Sequence, residues 1–137
     1  MQARGYGCSE VQFCRTLSRL CEKVDRASII VQTKVPPKED PEDFRVALQR
    51  SFDTLQPPGG YIDLFGFHGI NHEKQLEWTK NCMAVAKEFQ AAGKIKHIGF
   101  STHAMTTTTI NAIETDLFDY VNLHCARRHG SSVAAPP

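Results

Sequence analysis

Four polar side chains end short apolar runs in this sequence. Val31-Gln32-Thr33 leads into Lys34, Tyr61 to Phe67 into His68, Ile95 to Phe100 into Ser101, and Phe118 to Val121 into Asn122. A fifth candidate, Tyr6, stands beside Gly7 ahead of the first helical pattern. A tyrosine, a lysine and a histidine gathered at one place can move a proton to a carbonyl oxygen. The phenol is the donor, but its unperturbed pKa is about 10. A neighbouring ammonium favours the phenolate and lowers that value, while a histidine orients the oxygen or relays the proton. Such a set suits reduction of an aldehyde or ketone in which a nicotinamide supplies the hydride.

Each residue also has an ordinary reading. Lys34 closes a strand and faces water. His68 is a hydrogen-bonded histidine in the core. Ser101 caps the helix that follows. Tyr6 is an amphipathic surface aromatic. His103 and His124 stand at no special spacing. His68 and His72 lack the H-E-x-x-H frame of a zinc site. Five cysteines (Cys8, Cys14, Cys21, Cys82 and Cys125) form no C-x-x-C pair and are odd in number. They read as reduced thiols, with Cys14 and Cys21 as small apolar packing on one helix face. No metal site is expected.

The elements that must position these residues follow from periodicity. Val11, Phe13, Cys14, Leu17, Leu20, Cys21 and Val24 predict a helix from Ser9, its N-cap, to about Lys23. Ser28 to Thr33 is β-branched and apolar, a buried strand. Asp40-Pro41 opens a second helix carrying Phe44, Ala47, Leu48, Phe52 and Leu55, and Pro57-Pro58-Gly59-Gly60 ends it. Tyr61 to Phe67 is a second strand. A third helix from Glu73 to Ala92 buries Leu76, Met83, Val85, Ala86 and Phe89, with Gly93 at the left-handed cap. Ile95 to Ser101 is a third strand, Thr107 to Glu114 a fourth helix, and Phe118 to Leu123 a fourth strand. The tail from Arg127 to Pro137 reads as disordered.

Strands apolar on both faces, alternating with helices, imply a parallel sheet covered by helices. An α/β class follows, with two architectures open: a doubly wound sheet, or part of a (β/α)8 barrel. In both, ligands bind at the carboxyl ends of the strands, where Lys34, His68, Ser101 and Asn122 fall.

Composition narrows the partners. Sixteen Lys+Arg against fifteen Asp+Glu leave a net charge of +1 over 137 residues. That balance gives no electrostatic case for nucleic acid or an anionic membrane surface. Apolar runs are too short for a membrane span, and the N-terminal ten residues lack the apolar stretch of a secretory signal. A cytoplasmic protein is expected.

Five ordered motifs resemble the aldo-keto reductase family. Ala3-Arg4-Gly5-Tyr6-Gly7-Cys8-Ser9-Glu10 is similar to the segment with the catalytic tyrosine, written D-x-A-x-x-Y-G-x-S-E. Val31-Gln32-Thr33-Lys34 is similar to the strand ending in the catalytic lysine, and Tyr61 to Gly69 to the strand carrying the catalytic histidine. Gly93 to His103 resembles G-K-I-R-x-I-G-x-S, and Phe118 to Asn122 the next strand. The forms G-F-S-x-H and H-G-I-N are most like the branch whose members often carry a ferredoxin-like iron–sulfur domain.

The resemblance implies a partial (β/α)8 TIM barrel of about four helix–strand units with parallel strands. It implies an NADP-dependent oxidoreductase that uses NADPH on a small-molecule carbonyl substrate. Tyr6 would be the general acid, Lys34 its pKa-lowering partner and His68 the substrate-orienting residue. Ser101 and Asn122 would contact the nicotinamide carboxamide. Asn122 stands where the family commonly has Gln, Thr102 where many members have Asn, and Met1 where the family has the aspartate that pairs with the lysine. Full barrels take about 250 residues. Residues 1–126 are therefore expected to be an incomplete domain and 127–137 a tail. The isolated chain is expected to be inactive, to bind NADPH weakly or not at all, and to self-associate through exposed strand edges. The alternatives are a non-catalytic binding or regulatory protein on the same scaffold, and an unrelated doubly wound binding domain.

Overall fold

A computed structural model describes residues 9–104 and 106–123. Tyr6, Cys8, His124, Cys125 and the 127–137 tail lie outside the described residues. The elements in chain order are α1 (Ser9–Cys21), β1 (Gln32–Val35), α2 (Pro41–Leu55), β2 (Ile62–His68), α3 (Glu73–Ala91), β3 (Ile95–Thr102), α4 (Thr106–Ile113) and β4 (Tyr120–Leu123). The strands form one sheet in the order β1-β2-β3-β4, and every neighbouring pair is parallel. A doubly wound sheet reverses its order at a switch point. This sheet never does, so the architecture is a partial (β/α)8 barrel and the doubly wound reading is set aside.

Helix ends follow the local chemistry. Asp40 caps α2 by accepting the Glu42 N–H at 2.8 Å, with Pro41 at the first helical position. Gln56, and not a glycine, supplies the left-handed residue that ends α2, at φ 42°. Gly93 takes φ 73° after α3, and the Lys94 N–H donates to the Phe89 carbonyl at 2.9 Å. His72 caps α3, its Nδ1 accepting from the Gln75 N–H at 3.3 Å.

Two strand starts and one burial pattern differ from expectation. The first strand begins at Gln32, not Ser28, because Arg26–Ser28 folds into a 3-10 turn capped by the Asp25 carboxylate. The Val31 N–H donates to the Asp63 carboxylate at 3.0 Å. Phe118 precedes β4; its ring packs on Phe100 at 4.7 Å between centroids. In α1, Leu17 is buried as the stripe predicts, but Val11, Leu20 and Val24 are exposed. Glu10 is buried in their stead, accepting hydrogen bonds from the Ser51 and Thr33 hydroxyls.

The core lies between the sheet and its helices. Phe65, Phe67, Ile98 and Phe100 meet Phe44 and Leu48 of α2 and Met83 and Ala86 of α3 in one buried cluster. Phe44 stacks on Phe67 at 5.1 Å and meets Phe65 edge-on at 6.1 Å.

At the amino ends of the strands one carboxylate ties three segments together. Asp63 of β2 pairs with Arg26 at 2.8 Å and with Lys96 of β3 at 2.9 Å. The Arg26 guanidinium also donates to the carbonyls of Ile29, Pro58 and Tyr61. Both cations lie 4.1 Å from the centroid of the Tyr61 ring. Burial by itself would raise the Asp63 carboxyl, but the Val31 N–H, Lys96 and Arg26 outweigh it and hold the group below its ordinary value.

Removing Asp63 leaves Arg26, 11% exposed, without its countercharge. Loss of one partner of such a pair costs about 3 kcal/mol. Asp63→Ala should lower the urea midpoint accordingly with an unchanged slope. In the parent chain this contribution is complete above pH 3.8, the ordinary value, and is lost as pH falls through the lowered folded value.

Candidate active site

Successive residues of a strand point to opposite faces of the sheet, so the register decides which polar groups meet. Lys34 pairs with Gly66, Gly66 with Gly99, and Gly99 with Tyr120. One step nearer the carboxyl rim on the same face, His68 pairs with Ser101 and Ser101 with Asn122. This is the face turned away from Phe65, Phe67 and Phe100. The four strand-end residues singled out in the sequence therefore share the inner face of the arc, in two adjacent layers. Tyr6 lies outside the described residues.

Lys34 is 3% exposed, and burial pulls its ammonium below its ordinary value. His68 is half-buried. Its imidazole is also lowered, first by burial, then by the positive charges of Lys34 and His103. A neutral imidazole at neutral pH is the result, able to donate from one nitrogen and accept at the other. The Lys34 charge thus reaches the His68 ring.

The rim is held by hydrogen bonds between the ends of β2 and β3. The Gly69 N–H donates to the Ser101 carbonyl at 3.0 Å and to its Oγ at 3.2 Å. The Ile70 N–H donates to the same carbonyl at 2.9 Å. The Thr102 hydroxyl donates to the Ile70 carbonyl at 2.5 Å, and the His103 N–H donates to Asn71 Oδ1 at 2.8 Å. Ser101 lies in the sheet; it is the Thr102 hydroxyl that accepts an N–H from the loop after β3, that of Ala104 at 2.8 Å. The bond from Gly69 occupies an acceptor site of Ser101 and leaves its O–H free to donate. Beside it on β4 stands Asn122, half-buried, with both an amide donor and an acceptor. A hydroxyl and a carboxamide side by side fit the carboxamide end of a nicotinamide.

Two residues of this face, Gln32 and Tyr120, and one on the opposite face, Glu10, escape sequence reading. Gln32 Nε2 donates to the Tyr120 hydroxyl at 3.1 Å, across the full width of the sheet. Burial pushes the Tyr120 phenol up to about 12, so it stays protonated. Glu10 fastens the start of α1 to Thr33 on β1 and Ser51 on α2. Its place directly after the Tyr6 segment is the one signal the sequence offered.

Parallel α/β topology with sequential strand order defines the class as a (β/α)8-type barrel fold. The chain belongs to the aldo/keto reductase family, whose sequence profile matches residues 2–126. Among solved structures it is similar to an aldo-keto reductase from Bacillus halodurans in its holo form. That match has 18% identity and a TM-score of 0.70 over 90% of this chain and 42% of that one. It is also similar to a Bombyx mori aldo-keto reductase in complex with NADP, with 17% identity, a TM-score of 0.58, and 94% and 53% of the two chains covered. An aldo-keto reductase from a Medee basin deep-sea metagenome library matches at 24% identity and a TM-score of 0.56, over 67% of this chain and 32% of that one. These likenesses show the fold. The chain spans about a third to a half of the length of these structures, 32% to 53%. No curated protein matches it.

The electrostatic contact between Lys34 and His68 is open to measurement. The His68 imidazole, followed by NMR, should titrate below its ordinary 6.5. Lys34→Met should move the midpoint upward but not fully back, since burial remains. An unmoved midpoint would mean that the two groups do not share a site.

Proposed function

We propose that this chain carries the proton-transfer part of an NADPH-dependent carbonyl reductase site. Tyr6 is the general acid, Lys34 lowers the pKa of its phenol, and His68 orients the oxygen of a small aldehyde or ketone. One observation carries the reading: Lys34 and His68 lie on one face in adjacent layers, electrically coupled, beside Ser101 and Asn122. Ser101 and Asn122 would hold the nicotinamide carboxamide, and the cofactor when bound supplies the hydride. NADP in the Bombyx mori structure supports this choice of cofactor.

The chemistry of each group follows from its surroundings. Buried Lys34 brings a positive charge into a low-dielectric setting, where it favours a phenolate more strongly than it would in water. Neutral His68 can donate a hydrogen bond to a carbonyl oxygen without itself becoming an acid. The shelf formed by Gly69, Ile70, Ser101 and Thr102 keeps that imidazole and the Ser101 hydroxyl in fixed relation.

Further parts of the reading rest on sequence. The domain is taken as residues 1–126 with a tail at 127–137. G-F-S-x-H and H-G-I-N place the chain nearest the branch often joined to an iron–sulfur domain. The site of action is the cytoplasm. By itself the chain binds NADPH weakly or not at all and is inactive, because the family's loops for the pyrophosphate and adenosine phosphate follow the seventh and eighth strands. Among the described residues nothing pairs with the outer edges of β1 and β4. Self-association through those edges follows.

Two measurements test the proposal. The chain has three tyrosines, so its phenolate absorbance can be resolved by substitution. A component titrating below the ordinary value of about 10 should vanish in Tyr6→Phe and move upward in Lys34→Met. Its survival in Tyr6→Phe would remove Tyr6 from the acid role. NADPH fluorescence titration should show no saturation at micromolar concentrations; saturable binding there would refute the claim of weak binding.

A further inference from the structure

Tyr120 spans the inner face of the sheet. It stands on β4 opposite Gly99, and its ring crosses β3 so closely that a Cβ on Gly99 would lie 2.5 Å from Cδ1 and Cε1. The hydroxyl continues over β2, 3.2 Å from where a Cβ of Gly66 would be. It ends at Gln32 on β1, the residue two before Lys34 on the same face. The Lys34 stem reaches the same place from the other side: its Cγ and Cδ lie 3.2 and 3.7 Å from that Gly66 point. The Tyr120 hydroxyl and the Lys34 stem therefore flank the bare Cα of Gly66, each 3.2 Å from where its Cβ would be.

We infer that Tyr120 is the positioning residue for Lys34: its ring lies across Gly99 and carries the hydroxyl over Gly66 to the side of the lysine stem, where it limits the paths open to the ammonium. A lysine stem has four rotatable bonds and loses much rotamer freedom when it is held. Here the side toward Gln32 is filled by the phenol and the Gln32 carboxamide, which leaves the stem the path toward the rim and His68. The ring also keeps water from the methylenes, consistent with the lowered lysine value. The groups facing Lys34 are then the neutral Tyr120 phenol and Gln32 amide and, toward the rim, His68, which His103 also influences. The catalytic meaning of this role rests on the reading of Lys34 as the partner of Tyr6.

The test follows the Lys34 13Cε resonance through its alkaline titration in uniformly labelled chain, assigned with Lys34→Arg. Tyr120→Phe keeps the ring over Gly99 but removes the hydroxyl beside the stem, and should move the midpoint less than Tyr120→Ala does. Tyr120→Ala opens the face to water and should move the midpoint upward. Gly66→Ala drives a methyl between the lysine stem and the hydroxyl, and should shift the Lys34 resonance even if Tyr120→Ala does not fold. An unchanged midpoint in folded Tyr120→Ala, or an unchanged resonance in Gly66→Ala, overturns the inference. So does a shift in Tyr120→Phe as large as that in Tyr120→Ala, which would put the effect on the bond to Gln32. None of these readings uses turnover. Should the Tyr6 titration fail while these hold, only the lysine's partner role is lost.

Discussion

Two missing methyl groups decide what the inner face of this sheet can hold. Gly66 and Gly99 stand side by side in the layer that also contains Lys34 and Tyr120. A Cβ at Gly99 would collide with the Tyr120 ring and backbone at 2.5 Å, and one at Gly66 would press on the lysine stem and the phenol oxygen at 3.2 Å. Glycine inside a strand costs stability relative to residues with side chains to pack. Here that loss gives close backbone approach. The two polar layers above the glycines, with the ammonium in one and the imidazole in the next, depend on it.

The opposite face obeys different rules. There the sheet offers Phe65, Phe67 and Phe100, and α2 and α3 close over them. This side is largely apolar, interlocked and close to fully buried. Polar groups on that side are few, chiefly Glu10 with the Thr33 and Ser51 hydroxyls; the rest gather on the inner face and at the amino ends, where Asp63 holds Arg26 and Lys96. Division of labour by face is what alternation along a strand makes possible: a single strand, β2, sends Phe65 and Phe67 to the core and His68 to the site.

Much of this could be read from residue order. Apolar β-branched runs alternating with helical stripes implied a parallel sheet, and the polar residue closing each run implied a shared rim. Lys34, His68, Ser101 and Asn122 were found because strand ends are visible in one dimension. Tyr120 was read only as strand filling, since its partner Gln32 lies 88 residues away and the contact exists only in the assembled register. Glu10 stood in the sequence only as the last residue of the Tyr6 segment, yet it is buried on two hydroxyls that periodicity could not bring together. The start of β1 was misplaced because the aliphatic pattern of Ile29 and Ile30 does not reveal that Arg26 and Asp63 take up the backbone groups there. In each case long-range polar pairing overrode a local signal.

The order of the strands bears on how such a sheet is made. Among the described residues, every strand hydrogen-bonds only to strands next to it in the chain. As the chain emerges from its amino end, each new strand finds its template already formed, separated from it by a single helix and two short connections. The entropy of closing each such loop is modest, and no step waits for a distant segment. The arc can thus grow by accretion, with the latest strand always serving as the growth front.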